Sequence, residues 1–154
     1  MADLVAPLSK YKKKTFLIWM GLCIVFGAWF FYDGYFNEKY ISKHTTADGK
    51  PDGDLVFNRK APIALIVVVA FLGGYLFVIR NKKVVADETG LVIDDKVSIA
   101  YDAIQKIDKT HFDAKGRFTI TYQGQDGKEI DLEISDRNYD NLKAILDHLI
   151  SKIS

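Results

Sequence analysis

The sequence predicts a membrane α-helical hairpin joined to a small α+β soluble domain. Two observations carry that expectation: a pair of uninterrupted apolar runs, around residues 16–32 and 61–79, and a charged remainder in which apolar residues alternate or recur at helical spacing. The mean hydropathy of zero averages over these two regimes. A single globular core has no use for such segregation, and 154 residues could not cover two such helices on every side. The expected organisation is a basic N-terminus over 1–14, a first membrane helix over 15–36, an external loop over 37–60, a second membrane helix over 61–80 and a soluble domain over 81–154.

Every residue from 16 to 32 is apolar, aromatic or glycine. Crossing roughly 30 Å of hydrocarbon at ~1.5 Å per residue takes about 20 residues, and the flanking positions supply the margin. A cleaved signal peptide is the competing reading, because Lys10, Lys12, Lys13 and Lys14 look like a charged leading region. The length of the run opposes it, as do the bulky Trp29, Phe30, Phe31 and Tyr32, which stand where cleavage needs small residues. The second run ends at Arg80, with Pro62 expected in its first turn. No ionisable residue interrupts either run, which removes the usual marker of a proton relay or transport path.

Direction follows from the flanks. Lys12, Lys13 and Lys14 precede the first span, and Arg80, Lys82 and Lys83 follow the second, so the positive-inside bias puts both termini in the cytoplasm. The same six cations are candidates for contact with anionic headgroups. Trp29, Tyr32, Tyr35 and Phe36 would anchor the outer interface, and Trp19 the inner one. Within the spans, Ala70, Gly73 and Gly74 offer small side chains that let a neighbouring helix approach closely, and Gly21 and Gly27 flatten parts of the first helix.

The loop between the runs is rich in turn formers from Thr45 to Asp54. A calcium-loop pattern fails there: Asp48, Asp52 and Gly53 fall in register, but Lys50 takes a ligand position and Arg59 replaces the bidentate glutamate. The one cysteine, Cys23, lies mid-run and reads as a packing residue; it can form neither an internal disulfide nor a cysteine-rich metal site.

Residues 81–154 carry 11 Lys/Arg against 14 Asp/Glu, a net of −3, which argues against nucleic acid as a partner. Strands are expected at 84–87, 91–93 and 97–101, and a fourth, bent one runs through Ile104, Ile107 and Phe112. Asp113 to Gly116 turns the chain into a strand over 117–123, and Asp126-Gly127 turns it back into 129–135. A helix over about 138–152, capped by Ser135 or Asp136, presents Tyr139, Leu142, Ile145, Leu146, Leu149 and Ile153 on one stripe.

This order resembles the bacterial pleckstrin-homology-like family over residues 82–153. The likeness is carried by the opening Val84-Val85-Ala86-Asp87-Glu88-Thr89-Gly90-Leu91-Val92-Ile93, by Ile99-Ala100-Tyr101-Asp102-Ala103-Ile104-Gln105-Lys106-Ile107, by the two turn-linked strands and by the final helix. The resemblance implies a partly open antiparallel barrel of about six or seven strands capped by the C-terminal helix. It also implies a place behind a membrane hairpin in the bacterial inner membrane, and use in binding or assembly.

No catalytic constellation stands out. His44, His111 and His148 are scattered, Asp131 and Glu133 read as the wet face of a strand, and no glycine-rich loop is placed to cradle phosphate. The expectation is therefore a non-enzymatic accessory subunit without cofactor or metal, which binds a protein of a larger membrane complex or a second copy of itself. The alternative is a membrane-proximal sensor of anionic lipid or a small ligand.

Overall fold

The computed structural model describes residues 3–153 and divides into two compact units, one of residues 14–78 and one formed by both ends of the chain. The first unit is helical. α1 (Lys10–Tyr35) and α3 (Gly53–Ile79) are both long and apolar enough to cross a membrane, and few of their residues are buried in the isolated chain. Between them lies a short helix, α2 (Glu38–Lys43), so the segment expected as an open loop is partly helical.

The helices start earlier than the apolar runs because polar residues extend them. α3 begins at Gly53 instead of Ala61, since the Asp52 carboxylate accepts the Leu55 N–H at 2.9 Å and caps the first turn. Pro62 consequently lies inside α3 and not in its first turn. Lacking an N–H, it leaves the Asn58 carbonyl without its helical partner, and Gly34 packs against that carbonyl. A Cβ on Gly34 would sit 3.1 Å from the Asn58 oxygen, so glycine permits this close approach of α1 and α3. The Arg59 Nε–H donates to the Gly34 carbonyl at 2.9 Å and fastens the same point.

The second unit contains two antiparallel sheets and a terminal helix. One sheet has the order β1-β2-β3-β4, from Leu4–Pro7, Lys83–Ala86, Gly90–Ile93 and Val97–Ala100. The other is β5-β6-β7, from Ile104–Asp108, Arg117–Gln123 and Glu129–Ser135. Six of these strands lie where the apolar alternation puts them. β1 does not: it comes from the segment expected only as a basic N-terminus, and it pairs antiparallel with β2 in the register Leu4↔Ala86 to Pro7↔Lys83. Ala6 and Leu8, both buried, join the core through this strand.

Local chemistry sets the turns. At the β2–β3 turn, the Asp87 carboxylate accepts from the Thr89 N–H at 2.7 Å, the Thr89 hydroxyl at 2.8 Å and the Gly90 N–H at 2.9 Å. These bonds, the hydroxyl first, hold the Asp87 pKa below its ordinary value. β5 ends at Asp108, whose side chain accepts the Thr110 N–H, and Phe112 opens a single helical turn, α4 (Phe112–Lys115), where a strand was expected. Gly116 then adopts a left-handed φ of 63° against the Asp136 carboxylate, which a Cβ at this position would displace.

The final helix, α5 (Leu142–Ile153), starts later than its apolar stripe predicts. Asn141 at φ 61° interrupts helical geometry, and the preceding residues are engaged elsewhere. Tyr139 bridges Leu8, the Asp140 N–H donates to the Pro7 carbonyl at 2.9 Å, and Ser135 and Asp136 belong to the turn out of β7 and not to a helix cap. Leu142, Ile145, Leu146 and Leu149 are buried with Phe118, Ile120 and Ile134 of the second sheet and with Val84, Leu91 and Ile99 of the first. A helix stripe that covers both sheets gives this small domain the apolar area it needs.

Because the Ala6 side chain of β1 is wholly buried, Ala6→Asp should destabilise the domain by about 3 kcal/mol or more, the cost of an unpaired buried carboxylate. Hydrogen exchange on the full chain in detergent micelles checks this: the β2 and β3 amides lose protection while those of α3 keep theirs.

Candidate functional site

The small residues singled out in the second apolar run divide between two faces of α3. A Cβ on Gly73 would lie 3.5 Å from Met20 Cε, so this glycine belongs to the contact within the hairpin, as does Gly27, opposite Leu65 at 3.8 Å. Gly74 meets nothing within 4 Å. With Ala70, Val67, Phe71 and Tyr75 it lines an open apolar groove of about 420 Å³ along α3, and the Tyr75 ring also meets Phe16 of α1 at 5.4 Å. A separate apolar cleft of about 410 Å³ lies between α1 and α3, beside Gly27 and Pro62. Both hollows are lined almost wholly by apolar surface, with Cys23 in the cleft and Tyr75 in the groove.

The six flanking cations have unequal surroundings. Lys82 Nζ lies 2.9 Å from Asp94 Oδ2, and Lys83 Nζ lies 3.8 Å from Asp95 Oδ1. The Tyr139 hydroxyl donates to Asp94 Oδ1 at 2.9 Å; burial first, and this bond second, raise the Tyr139 pKa well above the tyrosine range. Asp94 therefore ties the start of β2 to the segment ahead of α5. At the other end, Lys12 Nζ donates to Asn138 Oδ1 at 2.9 Å, and the Ser9 N–H donates to the Asn138 carbonyl at 2.9 Å. Lys13 is half-buried, Lys14 is exposed, and Arg80 is exposed with a partner of its own.

Between α2 and α3 the fold gathers residues that the sequence leaves scattered. His44 Nδ1 lies 2.8 Å from Asp52 Oδ2 and 3.7 Å from Asp54 Oδ2, and the Tyr40 ring stacks on the imidazole at 4.3 Å. Among the described residues, these three side chains are the one grouping of metal-ligating types, with ligand atoms within 4.8 Å of one another. The hydrogen bond to His44 and the cap on α3 account for Asp52, while the Asp54 carboxylate is largely exposed. Burial, followed by the charges of Asp54, Asp33 and Asp52, raises the Tyr40 pKa. Only the eight-residue spacing of His44 and Asp52 on either side of the Thr46–Lys50 turn hinted at this grouping.

The other histidines and the paired carboxylates also have structural settings. His111 precedes α4 and is exposed. His148, on the last helix, is half-buried, and its ring meets Tyr101 edge-on at 6.0 Å. Asp131 accepts from the Thr121 hydroxyl at 2.6 Å, and Glu133 pairs with Arg117 at 3.3 Å. These two carboxylates face cross-strand partners, which is the ordinary use of a wet strand face.

No family model, curated protein or solved structure matches the chain, so its functional reading rests on geometry and sequence.

The Asp52 contacts give a pH dependence of defined sign. The Leu55 N–H first, and His44 after it, hold the Asp52 pKa below its unfolded value. The cap's contribution is thus fully present above the unfolded carboxylate pKa and disappears as pH falls through the lower native one. The Leu55 amide should exchange faster below that native pKa, and Asp52→Ala should produce the same fast exchange at neutral pH; amide exchange measured across pH on the full chain tests both.

Proposed function

We propose that the chain is a non-catalytic, membrane-anchored accessory subunit: α1 and α3 form the anchor, and a pleckstrin-homology-like domain presented in the cytoplasm binds a protein of a larger membrane complex. The observation that carries this reading is the open apolar groove at Ala70 and Gly74, where a Cβ on Gly74 meets nothing within 4 Å. In hydrocarbon, helices associate through such close-packed small-residue faces and not through hydrophobic burial. The soluble unit supports the same reading. Its interior is filled with aliphatic and aromatic side chains, and its outer strands β4, β5 and β7 each offer a free edge for strand addition.

The family resemblance gains support from the four-plus-three strand arrangement closed by a C-terminal helix, in which β1 supplies the seventh strand. A location in a bacterial inner membrane with both termini cytoplasmic is part of the proposal. It is supported by the lysines before α1, by Arg80, Lys82 and Lys83 after α3, and by the β1–β2 pairing, which requires the two ends of the hairpin to emerge on one side.

A Cβ at position 74 meets nothing within 4 Å, so Gly74→Ile builds into the groove, and Gly73→Ala is the matched control on the face toward Met20. In a crosslinked pull-down from native membranes, a defined membrane protein should accompany the wild-type chain and the Gly73→Ala chain, and its recovery should fall about tenfold with Gly74→Ile. Recovery of all three as lone monomers removes the reading. Topology has its own check: in a Cys23→Ser background, a thiol at position 48 should react from outside the cell and one at 115 only after permeabilisation.

A further inference from the structure

We propose that the soluble domain holds a binding site for a phosphate group, in the recess between the start of β6 and the end of β7. The recess is polar, measures about 290 Å³ and is lined by Ala114, Lys115, Arg117, Glu133, Ser135 and Arg137. Three cations thus face one carboxylate in a domain whose net charge is −3, counting 11 Lys/Arg and 14 Asp/Glu over residues 81–154. Glu133 engages only one edge of the Arg117 guanidinium, Nη1 to Oε2 at 3.3 Å. The Arg117 Nε–H is buried and has no acceptor. Buried donors are almost always satisfied in folded proteins, so this orphan marks Arg117 as a side chain that gains by turning its guanidinium toward an acceptor in the recess it lines.

The other two cations are free to serve the same acceptor. Neither Lys115 nor Arg137 has a carboxylate partner among the described residues, in contrast to Lys82 and Lys83. Asp136 lies against Gly116 and is not part of the lining. Two further cations in the lining beside a guanidinium with an unbonded N–H match the charge and the multiple acceptors of a phosphate, and the volume lies at the small end of ligand pockets, which suits a phosphate group or headgroup better than a nucleotide.

The neighbourhood bears on the source of the phosphate. Arg137 adjoins Asn138, which is hydrogen-bonded to Lys12 and Ser9 where α1 begins. If α1 spans a membrane as proposed above, a lipid headgroup is one source of that phosphate. A soluble phosphate needs no such premise, so the site stands whether or not the scaffold reading does.

The chain has four arginines, few enough for each Nε–H to be followed by nuclear magnetic resonance. The full chain in phosphatidylcholine nanodiscs would be titrated with inorganic phosphate and, separately, with chloride at matched ionic strength. A second preparation would replace part of the phosphatidylcholine with phosphatidylglycerol. The expected result is a saturable displacement of the Arg117 Nε–H signal, with Arg59 unmoved. Displacement by phosphate identifies a soluble ligand, and displacement only in the phosphatidylglycerol discs identifies a headgroup. Lys115→Gln with Arg137→Gln should weaken either response about tenfold. If that double variant loses amide dispersion, the two single variants decide, each expected to weaken the response about threefold. The proposal is overturned if Arg117 stays unmoved in every preparation, if chloride moves it equally, or if folded variants respond like the wild type.

Discussion

The pairing of β1 with β2 is the contact on which the rest of the molecule depends. Leu4–Pro7 and Lys83–Ala86 are separated by the whole hairpin, yet they exchange backbone hydrogen bonds in continuous register. Without β1, the β2 edge would lose its partner, and the core would lose Ala6 and Leu8 together with the Tyr139 bridge and the Pro7 carbonyl that hold the chain ahead of α5. The hairpin is thus inserted into a domain and not merely attached to one. Both of its ends are tied to a sheet, so a long loop-closure cost is met by interactions at one place.

Much of this was legible because it rests on short-range periodicity. β6 and β7 have the bounds that alternation assigns them, and Asp126-Gly127 forms the hairpin turn, with Gly127 at φ 77°. β1 was hidden for the opposite reason. Four residues beginning at Leu4, broken by Pro7, carry too little pattern to declare a strand, and only a partner at the far end of the hairpin gives them one. The bounds of α5 were misjudged because Tyr139 falls on the helical stripe by spacing but is used as a bridge residue, with Asn141 in left-handed geometry between the two roles. The Arg117 recess was illegible in kind, since it joins the start of one strand to the end of another, and an unsatisfied N–H leaves no trace in a string of residues.

The glycines of the hairpin illustrate how one residue type serves different ends. Gly34 lets α1 reach the carbonyl that Pro62 leaves unbonded, and Gly27 and Gly73 face side chains of the opposite helix. Gly74, one residue along, faces open space. In an α-helix, successive residues are turned by about 100°, so adjacent glycines cannot serve the same contact. One of the pair closes the hairpin, and the other flattens the surface that remains. A small-residue motif read from sequence alone merges these two roles, whereas the geometry assigns each residue its own.

The lysines behind α3 raise a related question of timing. Lys82 and Lys83 are paired with Asp94 and Asp95 in the folded domain, which would seem to remove them as determinants of orientation. The bias toward retaining positive charge acts while a chain inserts, before β3 and its flanking turn have folded back onto β2. In a chain that inserts as proposed, the carboxylates are not in place at that stage and the two lysines are free to act as cations. After folding, the same side chains fasten the first residues of the domain through Asp94, which also accepts the Tyr139 hydroxyl. Charges that direct insertion need not be the charges that meet an anion later. By this reasoning the unpaired Lys115 and Arg137, remote in sequence from either apolar run, are better placed for recognition than the lysines that flank the membrane segments.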